Sequence, residues 1–339
     1  MDNPLGKTGI GLIVTRTPLR VSFAGGGTDL PEFYSLEGGA VLSATINKYV
    51  YVTIRHHGEL FNERFRLNYS ETEQVEKLDE IKNDIARECL RFLKVEPPIY
   101  ISTVADIPAF SGLGSSSSFA VGLLHALHAY KGEHVTAAQL AQEACHIEID
   151  VLKHPIGKQD QYAAAFGGLN LFRFMPGGEV TLEPHIHGNG NVEVLFRHTM
   201  MFWTKIQRCA DEVLSEQKRN IGAKRADLLQ MRDHAYKVRD LMRSRFDPLE
   251  LGRLLHETWN LKRQLASKIT NDRIDRWYQR ALEAGAVGGK LCGAGGGGFL
   301  LLIVEPHRQR AVRQTLKEMV EVRVSFETGG SRHLLPIGE

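Results

Sequence analysis

The sequence predicts a mixed α and β protein in two parts, on three observations. Its 339 residues suit two domains, or one large one, at roughly 100 to 200 residues per domain. β-favouring segments crowd the beginning, at 12–25 and 40–55, whereas helical spacing dominates 208–277. After that helical stretch a glycine-rich turn leads into an apolar strand at 290–305. The division falls near residue 190, giving parts at 1–190 and 191–339.

The elements follow in order. Residues 12–25 alternate, are rich in β-branched side chains and run into Gly25, Gly26 and Gly27, so a strand ends at a tight turn. Residues 40–55 form a second strand, and 59–71 have weaker strand character. From 73 to 94, Val75, Leu78, Ile81, Ile85, Leu90 and Leu93 stand at helical spacing, and Pro97 and Pro98 stop the pattern before a strand. The segment 108–118 is a glycine-serine loop opening a helix that ends near Gly132. Thr136 then caps a helix over 137–150, and another starts after the loop at 154–161. Residues 180–204 read as strands, 208–277 as helices broken near Gly222 and at Asp247-Pro248, 307–320 as a helix and 321–327 as a last strand. No repeat recurs at a fixed period.

Composition excludes several classes. With 42% hydrophobic and 24% charged residues the chain is a folded globule, not a disordered or fibrous one. A net charge of +2 gives no global basic excess for nucleic acid or an anionic membrane, so any nucleic-acid role would need a local patch. No segment approaches about 18 consecutive apolar residues, and 9–14 is shorter than a signal core. Cys89, Cys145, Cys209 and Cys292 stand far apart without a CxxC pair, which suits reduced thiols in the cytoplasm. The basic stretch 205–245 holds eleven Lys and Arg against six Asp and Glu. It reads as a solvated helical face or as attraction for phosphate, and it lacks the aromatics of a single-strand binder.

Three glycine-rich segments border regular elements: Gly25–Gly27, 112–118 and 293–298. Without a Cβ the backbone can approach an anion and aim successive N–H groups at it. The second segment fits best, because Ser115, Ser116 and Ser117 add hydroxyls and the following helix offers its N-terminus. No Lys follows, so it is neither a Walker A loop nor, with Gly112-Leu113-Gly114 alone, a dinucleotide fingerprint. A triphosphate calls for Mg²⁺ held by a carboxylate and a hydroxyl, with Glu143, Glu148 and Asp150 the nearest carboxylates. Asp160 opens a helix of small residues, either as its N-cap or as a general base toward a substrate hydroxyl. The histidine pairs at 56–57 and at 185 and 187 lack any metal-site context.

Three motif segments, in order along the chain, resemble those of the GHMP small-molecule kinases: TPLRVSFAGGGTDLPEFY at 17–34, PAFSGLGSSSS at 108–118 and KLCGAGGGGFLLLIV at 290–304. The resemblance implies a two-domain α+β fold, with a ribosomal protein S5 domain 2-like ATP-binding half at 1–190 and a ferredoxin-like half at 191–339. It implies ATP and Mg²⁺ as cofactors, with Gly112, Leu113, Gly114, Ser115, Ser116 and Ser117 on the phosphates and Ser116 and Glu148 on the metal. Asp160 and Arg20 match the catalytic pair, and Asp29 matches the carboxylate that grips sugar hydroxyls, beside Gly26, Gly27, Thr28, Lys158 and Gly295. Glu148 and Asp160 stand twelve apart with Gly157 between, similar to galactokinases. Gly26 and Gly27 replace the acidic residue and histidine of those enzymes, which argues against a direct reading of galactose.

The AGGGTD form, with 154–170 and 288–299, is most similar to the D-glycero-D-manno-heptose 7-phosphate kinases. That implies phosphorylation of an anomeric hydroxyl to a heptose 1,7-bisphosphate in the supply of nucleotide-activated heptose for surface glycans such as lipopolysaccharide or capsule. A phosphorylated sugar needs a further basic contact, for which Lys158, Lys205, Arg208 and Arg173 are candidates. Fucokinase-like or galactokinase-like activity, or a silent sugar- or nucleotide-binding regulator, are the alternatives. A homodimer is a further expectation.

Overall fold

Two sheets organise the chain. The computed structural model describes residues 11–58, 61–185, 190–207 and 211–334. The first sheet has eight strands: β1 (Ile13–Ala24), β2 (Gly39–His56), β3 (Phe65–Asn68), β4 (Thr72–Val75), β5 (Ile99–Ala105), β6 (Leu169–Phe174), β7 (Val180–Pro184) and, returning from near the end of the chain, β12 (Arg332–His333). Its order is β12-β1-β2-β5-β3-β4, with β6 and β7 branching from β2. That branch works because β2 is long: residues 39–44 pair with β6 and residues 50–56 with β5. The second sheet is antiparallel, in the order β11-β8-β10-β9, with β8 at Thr199–Trp203, β9 at Ala286–Leu291, β10 at Phe299–Val304 and β11 at Val320–Glu321.

Helices cover both sheets. On the first, α1 (Pro31–Glu37) follows the glycine turn, α2 (Asp84–Phe92) precedes β5, and α3 (Ser115–Tyr130) lies across β1 and β2. Gly122 lets α3 approach closely: a Cβ there would come within 2.6 Å of the Thr17 hydroxyl, and the Thr15 hydroxyl donates to the Gly122 carbonyl at 2.9 Å. Next come α4 (Ala137–Cys145), a π-helical turn at His146–Val151, α5 (Gln159–Phe166) and α6 (Asn191–His198). The later helices are α7 (Asp211–Asn220), α8 (Arg225–Arg243), α9 (Pro248–Lys262), α10 (Asp272–Glu283) and α11 (Gln309–Thr315). Gly252 of α9 and Gly288 of β9 meet backbone to backbone, so that helix seats on the second sheet. Among the described residues no helix is long and apolar enough to cross a membrane.

Three expected elements differ. The helix predicted over 73–94 is confined to α2, and its first part is β4 followed by a short 3₁₀ turn. Glu73 explains the break: its carboxylate accepts the backbone N–H groups of Lys82 and Asn83, and Asn83 then caps the helix by accepting from Ala86 N–H at 2.9 Å. Within the strand run predicted over 180–204, residues 191–198 are helical, with Val192 and Leu195 buried. The residue preceding that helix, Gly190, sits at φ 73. The last strand shrinks to residues 320–321, after which Phe326 forms an isolated bridge to Ile46. Elsewhere, Thr136 caps α4 through Gln139 N–H, as expected.

Candidate active site

Arg20 stands on β1, buried, where the strand's outer edge is no longer paired with β12. Its backbone N–H donates to the Leu113 carbonyl at 3.1 Å, which fixes the second glycine loop beside the strand. Its guanidinium forks onto Asp160: Nε donates to Oδ1 at 2.7 Å and Nη2 to Oδ2 at 2.6 Å, while Nη1 donates to the Gly112 carbonyl at 2.8 Å. A planar fork on a carboxylate fixes orientation as well as charge. Asp160 lies in the first turn of α5 but does not cap it, because Lys158 occupies the cap position. The N-cap alternative for Asp160 is thereby removed.

The second glycine loop sits directly over this pair. Gly114, at φ +77, precedes α3, and a Cβ there would stand 3.1 Å from Asp160 Oδ2. A side chain would therefore press on the carboxylate. Leu113 is buried and anchors the loop, Ser115 is half-buried, Ser116 exposed and Ser117 buried. No acidic residue occupies the first turn of α3, whose leading N–H groups have no partner within the helix. Behind the loop lies the third glycine segment. A Cβ on Gly112 would meet the Cys292 carbonyl at 2.6 Å and one on Gly298 the Ser111 carbonyl at 2.4 Å, so the two loops touch through backbone alone. A Cβ on Gly295 would meet the Ile269 carbonyl at 2.7 Å, so the loop closes against Ile269 at that glycine.

Glu148 belongs to the π-helical turn and is fully buried. Such turns widen a helix locally and recur at functional sites. Ser116 Oγ donates to its Oε1 at 3.1 Å and Gln161 Nε2 to its Oε2 at 2.7 Å. Burial pushes its carboxyl up to about 7, with the charge of Asp160 adding to that, against the hydroxyls of Ser117 and Ser116 and the Gln161 amide. No cationic side chain pairs with it among the described residues. A desolvated carboxylate with only neutral donors, beside a serine hydroxyl at a phosphate-type loop, fits a divalent cation. Among the described residues no group of three or more His, Cys, Asp or Glu side chains is arranged to hold a metal ion, so a closed all-protein cage is absent among them. Mg²⁺ suits such a sparse set, since it keeps waters and takes phosphate oxygens alongside one or two protein ligands.

Asp29 is also buried. Its carboxylate accepts from Gly27 N–H at 3.0 Å, Gln159 N–H at 3.2 Å and Gln159 Nε2 at 3.1 Å. Burial and the nearby Asp160 charge raise its carboxyl, opposed by those backbone donors. Two carboxylate oxygens carry about four acceptor positions, so three donors leave one for a ligand. Gly157 is required here, because a Cβ would fall 2.1 Å from Asp29 Oδ2. Thr28 is occupied internally: its hydroxyl donates to the Gly25 and Ala40 carbonyls and accepts from Ala40 N–H, locking the loop.

The basic candidates divide. Lys158 Nζ donates to the Gly178 carbonyl at 2.7 Å and lies 5.2 Å from the Tyr34 ring centre. Arg173 and Lys205 are exposed, and Arg208, like Cys209 and His187, lies outside the described residues. Sequence reasoning missed two buried lysines. Lys262 of α9 donates to the Gly293 carbonyl, and Lys290 of β9 donates to the Ser22 carbonyl at 2.7 Å. Burial lowers them to about 8 and about 7, the neighbouring Arg20 contributing to both, while Asp29 opposes the fall. The only sequence signal was Lys290 standing in the otherwise small or apolar run 286–292; Lys262, beside Arg263 and close to Asn260, gave none. Cys89, Cys145 and Cys292 are free, and burial raises all three thiols, so none is an activated nucleophile.

The chain is similar to known proteins along most of its length. The chain matches the GHMP kinases N terminal domain over residues 80–168 and the GHMP kinases C terminal domain over residues 238–322. It is 32% identical to D-glycero-alpha-D-manno-heptose 7-phosphate kinase of Campylobacter jejuni, over 90% of this chain and 93% of that protein. The crystal structure of a D-glycero-D-manno-heptose 1-phosphate kinase from Bacteroides thetaiotaomicron superposes with a TM-score of 0.78 at 26% identity, covering 95% of this chain and 99% of that one. L-fucokinase/L-fucose-1-P guanylyltransferase of Bacteroides fragilis is 25% identical over 89% of this chain, which spans only 36% of that longer protein. The chain thus has the two-domain α+β architecture with a ferredoxin-like second half, and it belongs to the GHMP kinases, ATP-dependent phosphotransferases.

Proposed function

We propose that the protein transfers the γ-phosphoryl group of ATP to the anomeric C1 hydroxyl of D-glycero-D-manno-heptose 7-phosphate, giving a heptose 1,7-bisphosphate for nucleotide-activated heptose and surface glycans. The observation that carries the chemistry is the Arg20 fork on Asp160 directly beneath Gly114 and the start of α3. The similarity to the Campylobacter jejuni enzyme supports the choice of sugar.

Asp160 accepts, or orients, the proton of the C1 hydroxyl, and Arg20 holds that carboxylate and offsets charge developing on the transferring group. Gly112, Leu113, Gly114, Ser115, Ser116 and Ser117 receive the phosphates through backbone N–H groups and hydroxyls. Ser116 and Glu148 would hold Mg²⁺, which when bound neutralises the phosphate oxygens. Asp29, with one acceptor position left, and the backbone of Gly26 and Gly27 meet the sugar, and Thr28 keeps that loop in shape. Gly295 serves by letting the third loop close against Ile269. Lys262 and Lys290, near enough to Arg20 and Asp29 to feel their charges, join Lys158 as candidate contacts for a phosphorylated substrate.

The similarity to a fucokinase keeps L-fucose as a second reading, with the same chemistry at an anomeric oxygen. The test is ATP turnover with Mg²⁺ on D-glycero-D-manno-heptose 7-phosphate, L-fucose and D-galactose, with phosphorus NMR of the product. A new anomeric phosphate on the heptose alone is expected. Preference for fucose or galactose replaces the substrate, and silence on all three removes the sugar kinase reading.

A further inference from the structure

Unpartnered polar groups gather around the first glycine loop. Among the described residues, Ser22 Oγ, Gln159 Oε1 and Gln217 Nε2 are buried without a hydrogen bond. Gly26 and Gly27 locate all three. A Cβ on Gly26 would lie 3.4 Å from Ser22 Oγ and 3.8 Å from the Gln159 amide nitrogen, and one on Gly27 would lie 2.4 Å from Gln217 Nε2. The Gln159 amide nitrogen donates to Asp29, and the Ser22 carbonyl accepts from Lys290. Gln217 comes from α7, in the C-terminal part, and is 2% exposed.

Packing alone does not account for a glutamine at that place. Its amide shares the contact over Gly27 with the Leu228 side chain, 3.5 Å from the same Cβ position, so an apolar side chain would fill the space without leaving an orphan donor. Buried polar atoms without partners call for an explanation, and a ligand that supplies the partners is one that accounts for all three together. The set holds a donor on Gln217, an acceptor on Gln159 and a hydroxyl on Ser22 that does both. An anion would demand donors only. Adjacent hydroxyls of a polyol match a mixed set, and Asp29 adds an acceptor beside them.

We infer that Gln217, with Ser22 and Gln159, reads the ring hydroxyls of the sugar, which makes α7 the specificity element contributed by the C-terminal part. This rests on the sugar kinase reading above and assigns residues that it leaves open. The test compares Michaelis constants for sugar and for MgATP in the wild type, Gln217→Leu and Ser22→Ala. Gln217→Leu keeps the packing and is expected to raise the sugar KM about tenfold or more, with the MgATP KM within about twofold and kcat less affected than KM. Ser22→Ala moves the same constant in the same direction by less. A structural role would move both constants together, and that result, or no change in either, overturns the inference. D-glycero-D-manno-heptose 7-phosphate is the first substrate used. If the wild type ignores it but turns over L-fucose or D-galactose, the heptose reading fails alone, and the KM split is judged on the active sugar. Wild-type silence on all three overturns both.

Discussion

The two carboxylates at the heart of the site are built in opposite ways. Asp160 is held by a bidentate guanidinium at one end, whereas Glu148, fully buried at the other, receives only neutral donors and is pushed up to about 7. A carboxylate already paired with a cation is oriented before substrate arrives. One that is desolvated and unpaired is completed by a cation from outside. In the proposed mechanism the contrast separates a group positioned for the acceptor hydroxyl from a group that would take a metal on the nucleotide.

The largest effect expected on this contrast is at Asp160. Asp160→Asn keeps the shape and removes the base, so steady-state turnover should fall by about 10² to 10⁴, the range for general base catalysis. Unchanged turnover would take Asp160 out of the mechanism. Next is Arg20→Lys, which leaves a positive charge but not the fork; kcat/KM is expected to drop by about 10 to 100, measured with sugar and MgATP both varied. A loss below twofold would mean that orientation by the fork is dispensable.

Glu148 gives a stability prediction with a definite sign. Its folded-state value lies above the ordinary 4.5, so the unfolded chain loses this proton first as pH rises. Its contribution is intact below about 4.5 and is lost between there and about 7. Glu148→Gln, neutral throughout, should therefore raise the unfolding free energy of the nucleotide-free protein, read from denaturant midpoints, more at pH 8 than at pH 5, by an amount on the order of 2–3 kcal/mol. An equal shift at both pH values would show that Glu148 is not held protonated by burial. The smallest effect lies outside the site, where His128 links α3 to α4 through Glu133 and Glu143, each at 2.8 Å. Burial alone would lower this histidine, but the two carboxylates hold it above 6.5. Its pairs stabilise fully below 6.5 and are lost as pH rises through the folded-state value. His128→Asn should cost about 1 kcal/mol at pH 6 and less at pH 9, read from denaturant midpoints.

Local chemistry explains what was readable in the sequence. The glycine segments were legible because their backbone conformations need glycine, as at Gly114 with φ +77, and their hydroxyls and flanking apolar runs lie adjacent in sequence. The Arg20–Asp160 fork joins residues 140 apart, so spacing left Asp160 open between cap and base, and only the family resemblance paired them. Gln217, Lys262 and Lys290 escaped notice because a polar side chain in a helix or strand reads as surface until the opposing part of the chain buries it. The helix expected over 73–94 failed for a related reason: the Glu73 carboxylate satisfies backbone groups nine and ten residues away, a tertiary contact that overrides apolar periodicity.

The division between the two carboxylates is tested most directly by calorimetric titration of ATP, with and without Mg²⁺, into the wild type, Asp160→Asn and Glu148→Gln at pH 8. The account predicts that Asp160→Asn binds MgATP within about threefold of the wild type, while Glu148→Gln loses about tenfold or more of the Mg²⁺-dependent affinity. Weakened binding in Asp160→Asn with unchanged Mg²⁺ dependence in Glu148→Gln would contradict it.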